Sequence, residues 1–289
     1  MSLRLEMLQV ARRAPKLLGE SADLVRAFLL GQVHPDGGFR DRAGNPDLYY
    51  TSFGLAGAAA LLTDGPLPAE ALSWVSTYLA RFGQGEALDF VHQCCLARCW
   101  GGIWEQAPGA VSGSTIEGLL QRIERYRSQN GGYHLSSGSA CGTAYGAFLA
   151  FGAYQDLDVP MPEAARVVES LKALETQDGA WTNERPPQLS CCPLPVPGAT
   201  NATAAAIAVL RQLGAPVQAG AGEWLLARAH PQGGFLATPA APMPDLLSTA
   251  TALHTLAGLQ MPLEHLRERS LDFIDSLWTN EGGFYGHWG

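Results

Sequence analysis

Charge is scarce in this 289-residue chain. Asp, Glu, Lys and Arg together make up 16% of it, and the basic residues are the rarer kind, 19 Lys and Arg against 27 Asp and Glu. The formal net charge of −8 argues against nucleic acid as the main partner, because neutralising phosphates needs clustered Lys and Arg. It leaves room for one small basic pocket. Long apolar runs are missing as well. Nothing approaches the ~18 uninterrupted apolar residues of a membrane span, and segment 204–210 is far too short. The first residues, Met1-Ser2-Leu3-Arg4-Leu5-Glu6, lack the apolar stretch of a signal peptide. Six cysteines occur, Cys94, Cys95, Cys99, Cys141, Cys191 and Cys192, and two adjacent pairs are not the spacing of a secreted disulfide framework. These absences predict a cytoplasmic protein with reduced thiols and no membrane span.

Glycine, by contrast, is placed with a rhythm. Asp36-Gly37-Gly38-Phe39, Asn130-Gly131-Gly132-Tyr133, Asp178-Gly179-Ala180-Trp181, Gln232-Gly233-Gly234-Phe235 and Glu281-Gly282-Gly283-Phe284 repeat one glycine-aromatic punctuation, with a degenerate copy at Gln84-Gly85-Glu86. They recur roughly every 50 residues, a period that marks an array of like supersecondary units. Between them the apolar residues fall at helical spacing, as Leu24, Phe28 and Leu29 do, and Leu72, Val75 and Leu79. The segments after each punctuation (48–62, 88–99, 140–154, 200–213 and 246–259) are rich in Ala and Gly on nearly every face, as in helices packed on all sides. Their partners, such as 163–175 and 263–278, are amphipathic. With an N-terminal helix over 2–18, about twelve helices are expected. The pattern predicts an all-α fold, an α6/α6 toroid of about six helical hairpins, as one domain over 1–289. Loop 182–198 carries five prolines and reads either as a stiff connector or as a wall over one mouth of the barrel.

The glycine-aromatic unit at the head of an inner helix resembles the protein prenyltransferase β-subunits and the squalene and terpene cyclases, over essentially the whole chain. Cyclases of that group protonate an alkene with an Asp-x-Asp-Asp motif. No adjacent aspartates occur here, and the nearest approach, Asp156-Leu157-Asp158, falls where an inner helix should end. The prenyltransferase branch is matched better. Segment 37–51, from Gly37-Gly38-Phe39 through Arg40-Asp41-Arg42 to Asp47-Leu48-Tyr49-Tyr50-Thr51, is similar to that family's active-site repeat. Asp89-Phe90-Val91-His92-Gln93-Cys94 resembles the segment carrying its zinc histidine. The resemblance implies that Arg42 and Tyr50 contact a diphosphate and that Asp47 and His92 bind zinc. It also implies a funnel of aromatics around an isoprenoid chain. The family's zinc cysteine is replaced by Tyr49, and the matching repeats come first in this chain rather than late.

The residues themselves leave alternatives open. His92, Cys95 and Cys99 lie at i, i+3 and i+7 and so share one helix face, where Cys95 could complete a zinc site with Asp47 and His92. The cysteines could equally be small core residues. Arg42 could hold a phosphate beside a helix N-terminus or pair with Asp41 or Asp47. Asp47 and Asp245 both follow a proline at a helix start, as N-caps or as the paired carboxylates of a glycosidase. Tyr49, Tyr50, Phe53, Trp100, Trp104, Tyr145 and Phe148 are the aromatics expected near an apolar cavity. The expected function is prenyltransferase-like. An isoprenoid diphosphate would bind in a central cavity through Arg42, Tyr49, Tyr50 and Tyr145. Its prenyl group would pass to a thiol or other nucleophile, on a peptide or protein acceptor, assisted by zinc at Asp47, His92 and Cys95. The alternative is a non-catalytic toroid scaffold that binds a lipid or a protein.

Overall fold

The computed structural model describes residues 2–61, 67–104, 106–189 and 193–288. Cys191 and Cys192 lie outside them; Cys94, Cys95, Cys99 and Cys141 are free thiols. Thirteen α-helices occur among the described residues, together with one short 3-10 turn and two strands of two residues each. No helix is long and apolar enough to cross a membrane. The chain divides into two compact units, one of residues 1–126, 135–137 and 149–162, the other of residues 127–134, 138–148 and 163–289.

The first unit opens with α1 (Leu3–Ala11) and α2 (Ala14–Leu18). One N-terminal helix was expected; Pro15, in the first turn of α2, has no N–H to continue α1 and splits it. There follow α3 (Ser21–Gly31), the strands β1 (Phe39–Arg40) and β2 (Pro46–Asp47), and α4 (Leu48–Leu61). Then come α5 (Ala69–Ala80), α6 (Phe90–Ile103) and α7 (Gly113–Glu124). The helix α8 (Ala144–Asp156) gives its later residues to this unit. α4 packs along α6, and both bury residues on most faces, as their Ala- and Gly-rich sequence predicts. α1 is held by its start. The Leu3 N–H donates to the Gln155 side chain, and Arg4 pairs with the buried Asp156 at 2.9 Å while reaching the Gly101 carbonyl. Asp156 thus ends α8 in a structural ion pair.

The second unit holds the first turn of α8 with α9 (Ala164–Lys172), α10 (Thr200–Gln212), α11 (Ala221–Leu226), α12 (Leu246–Gly258) and α13 (Arg267–Ser276). The described part of loop 182–198 is fastened to its own unit. Leu194 is fully buried and exchanges backbone hydrogen bonds with Glu175 and Gln177, Arg185 donates to the Ala173 carbonyl, and the Gly198 N–H donates to Asp178. That is the stiff-connector behaviour. Residues 190–192 of this loop lie outside the description.

Five of the six punctuations share one hydrogen-bonded turn. In each, the first glycine donates to the carbonyl three residues back, and that residue's N–H donates to the carbonyl of the residue after the glycine, as between His34 and Gly37–Gly38 and between His230 and Gly233–Gly234. Gly37 needs to be glycine twice over. Its φ is +101°, and a Cβ there would stand 2.1 Å from the Trp74 carbonyl oxygen of α5. The degenerate Gln84-Gly85-Glu86 makes no such bridge.

The aromatic of the punctuation is then clasped to the next buried helix. The Phe39 N–H donates to the Thr51 hydroxyl at 2.9 Å, and that hydroxyl donates to the Asp47 carbonyl at 2.6 Å. Phe235, Thr249 and Asp245 repeat the arrangement at 2.9 and 2.7 Å, and the Trp181 N–H finds the Thr203 hydroxyl at 3.1 Å. These threonines are wholly buried. A Thr51→Val change keeps the shape and orphans a buried N–H, a loss of about 1–3 kcal/mol. Urea unfolding should show a lower midpoint with unchanged m, largely restored in Thr51→Ser. A Thr51→Val protein as stable as the parent would mean that the clasp carries no stability.

Candidate functional site

Asp47 closes β2 opposite Phe39 and opens α4, so the clasp fixes its position. One carboxylate oxygen accepts the Tyr50 N–H at 3.0 Å, capping the helix; the other faces His92 Nε2 at 3.3 Å. Asp89 caps α6 in the same way, accepting the His92 N–H, and its carboxylate also meets His92 Nδ1 at 2.9 Å. His92 is therefore held between two carboxylates, each placed by a helix start. Burial alone would depress its pKa, but the hydrogen bond and charge of Asp89, and then Asp47, outweigh that and raise it above the ordinary 6.5. Burial works the other way on Asp89, yet the hydrogen bonds and charge of His92 bring its pKa below 3.8.

An open cleft of about 420 Å³ lies against this pair, lined by Asp41, Arg42, Ala43, Asp47, Tyr49, Tyr50, Val91 and His92. A smaller one of about 250 Å³, with Tyr78, Phe82 and Leu88 in its wall, also reaches Asp47 and His92. Arg42 is exposed and makes no ion pair among the described residues. Asp41 is engaged elsewhere, its carboxylate accepting the Ala43 and Asn45 N–H groups. Tyr49 stands edge-on to Tyr50 and to Phe53, with centroids 5.9 and 4.9 Å apart.

Five residues singled out in the sequence, Arg42, Asp47, Tyr49, Tyr50 and His92, thus share one cleft. Two others are placed differently. Cys95 is buried in α6 and does not line the cleft; its thiol is pushed up to about 11 by burial, despite a hydrogen bond from Ser52. Tyr145 starts α8 in the second unit, where its N–H donates to Asn183. Cys99 is also buried, its thiol near the Leu48 carbonyl, and Trp100 is core. Asp245 is a plain N-cap, accepting the Ser248 N–H at 2.7 Å.

The donors do not assemble as a zinc site. Among the described residues no group of three or more His, Cys, Asp or Glu is placed to hold a metal ion. Asp47 and His92 are turned to each other, the second nitrogen of His92 is taken by Asp89, and Cys95 is a protonated core thiol. One residue that shapes the site lies outside the sequence reading of it: Asp89, legible as an N-cap three residues before His92.

The sequence profile of the prenyltransferase alpha-alpha toroid domain matches residues 8–96 and 202–289. The chain belongs to that family. The toroid fold recurs in solved structures. The type II terpene cyclase MstE from Scytonema superposes with a TM-score of 0.62 at 17% identity, over 93% of this chain and 81% of that one. An aspartate-to-asparagine variant of the same cyclase, in complex with its substrate geranylgeranyl dihydroxybenzoate, gives 0.63 at 17% identity, over 92% and 80%. A protein from Actinoplanes gives 0.56 at 17%, over 92% and 83%. No curated protein sequence matches the chain. At this identity the structural likeness establishes the fold, and the chemistry of this toroid domain has to be read from its own cleft.

The electrostatics give a check on that cleft. The His92 ring should titrate above 6.5 by NMR, and an Asp89→Asn change, which keeps the cap but removes the charge, should bring it down. Because the folded pKa is raised, the pairing stabilises the fold fully below 6.5 and is lost as pH rises through the folded value. The depressed Asp89 acts oppositely, its contribution present above 3.8 and lost as pH falls through its folded value. An unshifted His92, or one unmoved by Asp89→Asn, would contradict the arrangement.

Proposed function

We propose that this toroid domain binds an isoprenoid diphosphate in the Arg42 cleft and passes its prenyl group to an external nucleophile. The observation that carries the reading is the convergence, from two adjacent helix starts, of a free guanidinium, a tyrosine and a histidine with a raised pKa beside an aromatic strip. A diphosphate needs cationic and hydroxyl donors at its oxygens; Arg42 and Tyr50 supply them, while both nitrogens of His92 stay with Asp47 and Asp89. An isoprenoid chain needs apolar surface in reach of them, which Val91, Tyr49 and Phe53 supply.

In the transfer the C1–O bond breaks, and its electron pair leaves with the diphosphate. The acceptor atom forms the new bond to C1 and gives up its proton. Arg42 and the Tyr50 hydroxyl stabilise the charge that grows on the leaving oxygens. No step is routed through zinc, because the donors do not assemble. The nucleophile is brought by the acceptor, since the Cys95 thiol, held near 11 by burial, provides no thiolate at neutral pH. That same observation favours a second reading, in which the domain holds the isoprenoid without reacting it.

Titration with farnesyl diphosphate separates these readings. Binding should weaken about ten- to a hundred-fold in Arg42→Ala, the loss of a charge-assisted hydrogen bond of roughly 1.5–3 kcal/mol. Release of inorganic diphosphate in the presence of a small thiol would support transfer, and binding without release would support the carrier. Failure to bind, or binding indifferent to Arg42→Ala, would remove the diphosphate assignment.

A further inference from the structure

Arg98 is the one Lys or Arg of α6 and makes no hydrogen bond or ion pair among the described residues. Its Nε is buried without a hydrogen-bond partner, and among the described residues no carboxylate lies within ion-pair distance of its guanidinium. Asp156, whose charge it feels, is committed to Arg4 at 2.9 Å. The guanidinium lies 5.8 Å from the centre of the Phe53 ring. Phe53 in turn meets Tyr49 edge-on at 4.9 Å, and both rings are open to solvent, Phe53 by 51% and Tyr49 by 38%. The result is an exposed aromatic strip, one helical turn long on α4, with the Arg42 cleft at its Tyr49 end and an unanswered cation at its Phe53 end.

A half-buried polar group without an acceptor is uncommon enough to call for a cause. Phe53 offers the cation its ring face, a contact worth far less than an ion pair and unable to satisfy N–H donors. A structural role is also hard to assign, because Arg98 bonds to no other residue that it could hold in place. Its five donors form a planar fork that matches a carboxylate in two parallel hydrogen bonds. The flanking rings offer apolar cover to whatever carries that carboxylate.

We propose that Arg98 is the anchor of a second anion subsite, which takes the carboxylate of an amphipathic acid whose apolar body lies on Phe53 and Tyr49. The subsite stands on Arg98 and the strip, independently of a diphosphate at Arg42. In the toroid it would admit a substrate or co-substrate bearing an acid group, and would select against the neutral analogue, because a buried donor left unpaired is costly.

Isothermal titration of the full chain with decanoate, decanol and decyl phosphate tests this. Decanoate should bind at least tenfold more tightly than decanol, and Arg98→Met, which keeps the stem, should erase that preference. Arg42→Ala should leave decanoate binding unchanged, which separates this subsite from the diphosphate cleft. Thermal melting of Arg98→Met should show no loss of stability, since no internal bond is broken. Equal binding of decanoate and decanol, or unchanged decanoate binding in Arg98→Met, would overturn the subsite. Binding of decyl phosphate but not decanoate would overturn the carboxylate assignment, and destabilisation of Arg98→Met would mark a structural residue instead.

Discussion

The buried threonine clasp is the constraint on which the rest depends. An extended residue leaving a glycine turn has a backbone N–H pointing into the protein, and such a group must be paired. No strand of useful length stands beside it. The hydroxyl of Thr51 takes the bond, and it passes its own proton to the Asp47 carbonyl one helical turn back. One side chain therefore ties the punctuation, the two-residue strand pair and the start of α4 into a single piece. Because the Thr249 clasp in the second unit has the same two bonds, the device belongs to the repeat and is independent of the cleft beside Asp47.

Comparison between repeats shows where the cleft departs from the shared scaffold. Asp47 and Asp245 occupy the same place, after a proline, at a helix start, with the carbonyl held by a threonine and one carboxylate oxygen capping the helix. The cap uses only one oxygen. At Asp245 no histidine meets the second among the described residues, whereas at Asp47 it meets His92. His92 is offered to it by the adjacent cap, Asp89, which fixes both the backbone N–H and the ring of the histidine. Two ordinary N-caps, worth about 1 kcal/mol each as helix signals, become a carboxylate–imidazole–carboxylate line when a histidine stands at the third position of the second helix. Stability and site share the same atoms, so neither aspartate is free to drift from its geometry.

The sequence made the repeat legible because a glycine with positive φ has few substitutes, and all six punctuations, the degenerate Gly85 included, keep one. It made the cleft legible in part, through Arg42, Asp47, Tyr50 and His92. The clasp escaped because Thr51, Thr203 and Thr249 lie 12, 22 and 14 residues from their aromatic partners. That unequal spacing hides a contact the fold makes equivalent. Cys95 was grouped with His92 because i and i+3 share a helix face. A face is some 100° wide, however, and α6 turns Cys95 and Cys99 toward Ser52 and Leu48 of α4 while His92 stays at the edge. Tyr145 was grouped by its position at the start of an apolar helix, a criterion that says nothing about which unit the residue joins. The apolar pattern over 2–18 reads as one helix, but Pro15 cannot sit in a helix interior, and the segment divides into α1 and α2.

Tyr49 connects these points. A cysteine in its place could have joined Asp47 and His92 as a soft third donor, and zinc would have organised the trio. A phenol whose pKa is raised further by burial and by Cys95 beside it resists giving up its proton and is a poor zinc ligand. Asp47 and His92 face each other, and the raised pKa of His92 comes from Asp89 first and then Asp47. What tyrosine brings instead is apolar surface: with Phe53 it extends the cleft along α4 toward Arg98. Tyr49 therefore adds apolar surface beside Asp47 and His92 where a cysteine would have added a third donor.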